Sequence, residues 1–330
     1  MTKTLSIYLD IFRFLAASIV FVVHADYGRL TGGLPFFWRF KDLGNDAVMV
    51  FFVLSGYVIT WVADQKESLL KDFYASRLAR LYSVVIPALI LTVSLDFIGS
   101  SINFDLYSDS KYFQSDTPLW RIFANLFFIN ELWFLSVRPF SNGPFWSLGY
   151  EFWYYVIFSF AWYFKKPLRN ILIIICCFFV GPKILILFPV WLLGVCAYFI
   201  TKQNLFPKSI GLILYLSSTI AYIAFRQGSY PQILTEWTIN HFGKTFVIDQ
   251  LKSSQYFLSS YVIGLLIALH FIGVASIAPL ISRFLAFFER PIRYLAEYTF
   301  AIYLFHYPLL QFIAAISSKV SPPPPIRAAI

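Results

Sequence analysis

Apolar residues in this chain come in long runs broken by short polar and basic clusters, the pattern of repeated membrane crossings. A crossing helix needs about 20 mainly apolar residues. Runs approaching that length fall at 5–24, 47–63, 82–100, 146–164, 170–182, 184–200, 209–225, 255–275 and 294–317. The run 170–182 is short, and Gly181-Pro182-Lys183 divides it from the next, so the two predict a tight hairpin. The first run carries Asp10 and Arg13, and no small-residue cleavage pattern follows it. It therefore reads as a retained span, not a signal peptide.

Basic clusters give the sidedness. Lys66, Lys71, Arg77 and Arg80 follow the second run, Lys165, Lys166 and Arg169 follow 146–164, and Arg283, Arg290 and Arg293 precede the last run. Placing all of them in the cytoplasm puts the amino terminus there too. The segments 25–46, 100–118 and 226–254 then face outward as loops, with His241 solvated in the last of them. This arrangement leaves no parity for a simple crossing by the apolar run 119–137, which lies between an outward and an inward span. The expectation is a re-entrant or interfacial segment, and its Asn130 and Glu131 are expected to line a cavity. Irregular backbone at membrane depth persists only where protein or a water-filled cavity satisfies it. After the last run, Pro322–Pro325 makes a stiff spacer, and Arg327–Ile330 resembles the start of another helix, so a truncated final span is also expected. The predicted fold is all-α: one polytopic transmembrane bundle over residues 1–330, with about nine crossings and the re-entrant segment.

Composition excludes the alternatives. Of 330 residues, 59% are apolar, 21% aromatic and only 13% charged, against roughly 25% charged in a soluble domain. Disordered, collagen-like and disulfide-rich secreted classes fail on the same figures. The three cysteines, Cys176, Cys177 and Cys196, lie in apolar runs, where small packing residues are expected and no zinc spacing exists. The net charge of +9 is accounted for by basic residues flanking spans, without a nucleic-acid partner.

Charge at membrane depth is costly, so each ionisable residue there is a functional candidate. Asp10 and Arg13 stand three apart and can pair on one face. Arg13 and His24 are eleven apart, three turns or roughly 16 Å along one face, which draws a polar track up a single helix. Histidine is the expected general base near neutral pH. Against this, Arg13 can snorkel to the interface with Asp10 as partner, and His24 can simply mark a helix end. His270 reads as a packed, hydrogen-bonded core histidine, whereas His306 is open between packing and a pore-lining role. Ser55 and Gly56, inside the bulky stretch Phe51–Tyr57, allow close helix approach. Arg77 and Arg80 share one side of an amphipathic stretch, fitting either interfacial anchoring or a phosphate clamp. Trp146-Ser147-Leu148 leads to Glu151, a carboxylate about one turn inside a span that needs a partner, with Arg13 or His24 as candidates.

In this order along the chain, Leu9-Asp10 with Arg13, the Arg13-to-His24 spacing, Phe51–Tyr57, Arg77/Arg80, Trp146-Ser147-Leu148 with Glu151, and Tyr303–Pro308 resemble the acyltransferase 3 family. These are integral membrane enzymes that modify cell-surface glycans, and the likeness covers nearly the whole chain. It looks most like the exopolysaccharide and lipopolysaccharide O-acetyltransferase branch, including nodulation-factor modifiers. Family members usually have ten spans, one more than the nine counted. The resemblance implies an acyl-CoA donor, usually acetyl-CoA, taken from the cytoplasm, and a glycan or lipid-linked saccharide acceptor. It implies a bacterial cytoplasmic membrane location and no metal. On this reading His24 is the general base, Glu151 orients it, Arg13 completes the catalytic set, and Arg77, Arg80 and Arg13 hold the donor phosphates. Asp10, Ser55, Trp146, Ser147 and His306 support the site, and Ser55 or Ser147 is a candidate oxyanion donor. The competing class is a proton-coupled secondary transporter or flippase for a lipid-linked sugar, with Asp10, Arg13, His24 and Glu151 as a relay.

Overall fold

The computed structural model describes residues 1–34, 40, 42–109 and 111–320. The proline spacer and Arg327–Ile330 lie outside the described residues. Fourteen helices make up the described chain: α1 Lys3–Ala25, α2 Gly28–Thr31, α3 Gly44–Gln65, α4 Leu70–Ile102, α5 Phe104–Ser108, α6 Pro118–Leu126, α7 Trp146–Tyr163, α8 Leu168–Val180, α9 Pro182–Lys202, α10 Lys208–Gln227, α11 Tyr230–Phe242, α12 Phe257–Phe287, α13 Glu289–Glu297 and α14 Thr299–Val320. There is no strand among the described residues.

Seven helices, α1, α3, α4, α9, α10, α12 and α14, are long and apolar enough to cross a bilayer. The other two predicted crossings are α7, of 18 residues, and α8, of 13. At 1.5 Å per residue α8 is only about 20 Å long, short of a hydrocarbon core about 30 Å thick. Gly181, at φ 80°, turns α8 directly into α9, which is the predicted hairpin. Two spans are longer than the apolar runs announced. The basic stretch before residue 82 is continuous with α4, and α12 continues to Phe287. The supposed loop 226–254 contains the helix α11, where exposed His241 stacks on Trp237 with centroids 3.9 Å apart.

The centre of the bundle is set by a close crossing of α3 and α9. A methyl group at Gly56 would run into the carbonyl of Trp191, and one at Gly194 into the carbonyl of Val53. In a membrane, where lipid tails are as apolar as side chains, such small-residue contacts let backbones approach and gain dispersion energy. Around the crossing, Phe52, Tyr150, Tyr154 and Trp191 pack ring against ring. The basic ends of the helices are tied together at one end of the bundle. Lys3 pairs with Glu289 at 2.7 Å, Arg293 with Asp10 at 2.9 Å, Arg77 with Glu67 at 2.9 Å and Lys202 with Asp64 at 2.7 Å.

The run 119–137 is not a crossing. It forms the nine-residue α6 and then irregular backbone, with left-handed Phe128 (φ 57°) and Trp133 (φ 51°). Asn130 and Glu131, expected to line a cavity, are sealed in protein, 1% and 2% exposed, and neither is among the described residues that wall the cavities beside α1 and α14. Protein groups satisfy the segment instead. Trp133 N–H donates to the Val180 carbonyl at 2.8 Å, closing the end of α8. Trp153 Nε1 donates to Phe128 O at 2.8 Å, and Asn125 Nδ2 to Val137 O at 2.9 Å. Glu131 pairs with Lys183, whose side chain is fully buried and also donates to Leu135 O. This pair fixes the re-entrant segment to the first turn of α9.

Breaking a buried ion pair from one side leaves a bare charge and costs about 3–5 kcal/mol, whereas replacing both partners with apolar groups is often neutral. Lys183→Met should therefore sharply lower the unfolding temperature in detergent, and Glu131→Leu/Lys183→Met should recover most of the loss. Equal stability of the single and double variants would contradict this role for the pair.

Candidate active site

Asp10, Arg13 and His24 project from α1. Asp10 accepts from Arg13 at 3.1 Å and from Arg293 of α13 at 2.9 Å, so it holds Arg13 near the basic end. His24 sits in the last turn of α1, where its Nδ1 lies 2.9 Å from Nε2 of His306 on α14. His306 is buried, and its own Nδ1 lies 2.9 Å from the carbonyl of Ile302. A carbonyl only accepts, so His306 carries its proton on Nδ1 and offers Nε2 as an acceptor. His24 must then donate from Nδ1, which leaves its Nε2 with a free lone pair. These protonation sites are assigned from the hydrogen-bond pattern. The His24 ring is thus fixed in tautomer and orientation by a second ring, itself fixed by backbone.

Two cavities flank this helix pair. The larger, about 770 Å³, is walled by His24, Tyr27, Lys111, Arg138, Trp146 and Tyr303, among others, at the end away from the basic clusters. The smaller, about 70 Å³, is walled by Arg13, Ser55, Arg80, Ser147, Glu151 and Tyr303, among others. A large chamber on the histidine side and a narrower arginine-lined one on the other meet at Tyr303 of α14. Arg138 donates to the Lys111 carbonyl at 2.6 Å, and burial lowers its pKa from the usual arginine value. Burial likewise raises the pKa of Tyr27 and keeps its phenol neutral.

The other candidates take up different partners from those expected. Glu151 does not orient His24. It accepts from Ser55 Oγ at 2.7 Å and from Tyr155 one turn on, because that face of α7 turns toward α3 and the smaller cavity. The orienting partner of His24 is His306. Ser55 is occupied by Glu151 and also accepts from Trp191 Nε1 at 3.2 Å. Arg77 and Arg80 both border the smaller cavity, but they are not equivalent. Arg77 is buried and locked to Glu67 and Ser76. Arg80 is exposed and makes no ion pair among the described residues. The cationic groups facing the smaller cavity without a structural lock of that kind are Arg80 and, tethered only by Asp10, Arg13. Trp146 walls the larger cavity, and Ser147 Oγ donates to Tyr303 Oη at 2.8 Å. His270 is the packed core histidine that was expected, 2.7 Å from the Tyr8 hydroxyl.

Several groups had been given no role. Tyr303 stands one turn before His306, a spacing visible in the sequence. Arg29 donates to Tyr307 Oη and Gln311 Oε1, both at 2.6 Å, and lies 3.9 Å over the Tyr112 ring. It thereby braces the outer part of α14 beside His306. Pro308 lacks the N–H that Leu304 O would receive in a regular helix, and Asn142 Nδ2 fills the gap at 2.8 Å.

Comparison with known proteins gives a consistent picture. The family described as an acyltransferase domain matches residues 6–330. Over 245 residues the chain is 26% identical to the O-acetyl transferase of Shigella phage Sf6, covering 66% of this chain and 70% of that protein. Over 344 residues it is 25% identical to the peptidoglycan O-acetyltransferase OatA of Listeria monocytogenes, covering 95% of this chain and 51%, about half, of that protein. Over 139 residues it is 31% identical to the acyltransferase MdmB of Streptomyces mycarofaciens, covering 39% of this chain and 32% of that protein. No solved structure gives a significant match. Since the family match takes in every helix that walls the two cavities, the protein belongs to the acyltransferase 3 family of multi-pass membrane proteins.

Proposed function

We propose that this membrane O-acyltransferase moves an acetyl group from acetyl-CoA, entering at the basic end, to a hydroxyl of a glycan held in the larger cavity. The observation that carries the reading is the chain from Ile302 O through His306 to His24, which leaves His24 Nε2 free to accept a proton. The amino terminus and the basic clusters lie in the cytoplasm of a bacterial cell, and the larger cavity opens on the other side of the inner membrane.

Arg80 and Arg13 take the donor phosphates, since guanidinium groups match phosphate oxygens. Asp10 holds Arg13 in place, and Arg77 serves the architecture through Glu67. The smaller cavity, at about 70 Å³, falls below the roughly 300–1,000 Å³ of ordinary ligand pockets. It must widen for the pantetheine arm, whose thioester then reaches the level of His24. There the acceptor hydroxyl gives its proton to His24 Nε2 as its oxygen bonds to the thioester carbonyl carbon. The carbon–sulfur bond breaks, the sulfur takes the proton back from His24, and CoA leaves as the thiol. The imidazolium formed in between keeps its Nδ1–H donated to His306. Glu151, with Ser55 and Tyr155, lines the route of the arm and does not touch the base. Trp146, Tyr27 and the other aromatic walls of the larger cavity suit the apolar faces of sugar rings.

A proton-coupled transporter would need a continuous relay along α1. Asp10 and Arg13 pair with each other, and His24 pairs with His306 roughly 16 Å further along the helix, which favours transfer chemistry over that relay.

Removing a general base typically costs 10²–10⁴-fold in rate, so His24→Ala should lower transfer of labelled acetyl groups from acetyl-CoA in membranes by about that factor. Normal insertion with full activity would remove His24 as the base. Arg80→Ala should raise KM for acetyl-CoA with kcat little changed, whereas Arg77→Ala should lower the yield of folded protein. An unchanged KM in Arg80→Ala would contradict its phosphate role.

A further inference from the structure

Tyr303 walls both the larger and the smaller cavity, and among the described residues that line the two it alone is shared. Its ring meets Phe51 edge-on, with centroids 5.5 Å apart, on the opposite wall. Its hydroxyl donates to Pro144 O at 3.0 Å and accepts from Ser147 at 2.8 Å. A single buried ring, held at its tip by the loop that opens α7, therefore borders both the chamber of His24 and the chamber of Arg13 and Arg80. We propose that Tyr303 is a removable partition. Closed, it bars water in the larger cavity from a thioester waiting in the smaller one; displaced, it lets the thioester reach His24.

The arrangement suits such a movement. Tyr303 is held by two hydrogen bonds and ring contacts but by no ion pair. It is next to Leu304, whose carbonyl lacks its helical donor because of Pro308 and relies on Asn142. Helices kink and shift where the backbone ladder is broken in this way. The chemistry follows from the donor and acceptor assignment made above; the geometry of the partition does not depend on it. With the ring removed, water replaces the sugar hydroxyl. Its oxygen bonds to the acetyl carbon, its proton passes through His24 to the departing sulfur, and free acetate and CoA thiol result.

The test separates geometry from chemistry. In a chain whose three native cysteines are replaced by alanine, Val58→Cys places a thiol on the wall of the smaller cavity. A membrane-impermeant methanethiosulfonate is added only on the side of the larger cavity. Tyr303→Gly, or Tyr303→Val if the glycine variant fails to fold, should speed labelling roughly tenfold, equivalent to a barrier lower by about 1.4 kcal/mol. Tyr303→Phe, which keeps the ring, should label slowly like the parent. Labelling that is equally fast with and without the ring overturns the partition, whatever the donor is. In the same variants without acceptor, acetate release from acetyl-CoA should rise in step with labelling. Faster labelling without acetate release would leave the partition standing and count against the acetyl-CoA reading.

Discussion

The structure is governed by the cost of a polar group at membrane depth. Each such group must find a partner inside the protein or face a cavity. Glu131 finds Lys183, Asp10 finds Arg13 and Arg293, Arg77 finds Glu67, and Glu151 finds Ser55 and Tyr155. These pairings fix the re-entrant segment, the basic end of the bundle and the register of α7. Among the groups left facing space are His24, Arg80 and the other walls of the two cavities.

Within that remainder the two histidines carry the chemical meaning. An isolated imidazole in a bilayer offers either nitrogen and any rotation. Here a backbone carbonyl fixes one ring and that ring fixes the other, so only one nitrogen of His24 remains as acceptor. No carboxylate takes part in the pair, which avoids burying a further charge. The two cavities meet at Tyr303 from opposite ends of the bundle. On the proposed reading, a donor with a thin arm and anionic head and a bulky sugar acceptor need not compete for one entrance.

The bundle was legible in the sequence because a membrane enforces its rule on every span. Runs such as 184–200 and 209–225 return as α9 and α10 with little change, and the parity conflict at 119–137 correctly excluded a crossing there. The polar face of α1 was equally legible, since helical spacing alone aligns Arg13 with His24. Spacing does not tell which helix lies opposite a given face. Glu151 was assigned to His24 because it needed a partner at about that depth, whereas its own α7 supplied Tyr155 and α3 supplied Ser55. His306, 282 residues away in sequence, could be singled out but not paired. Arg77 and Arg80 looked alike until Glu67, at the turn before α4, was found to claim only the first. Asn130 and Glu131 signalled a special segment, but the partner that seals it, Lys183, was hidden in a hairpin turn.

The central claim is that donor and acceptor meet at His24 from opposite faces of the membrane. Sealed proteoliposomes of defined orientation test it most directly, with labelled acetyl-CoA confined to the side of Arg13 and Arg80 and the glycan acceptor to the side of the larger cavity. The account predicts acetylated acceptor on the far side while the bulk acetyl-CoA stays where it was placed. Transfer that occurs only when donor and acceptor share one compartment would contradict it.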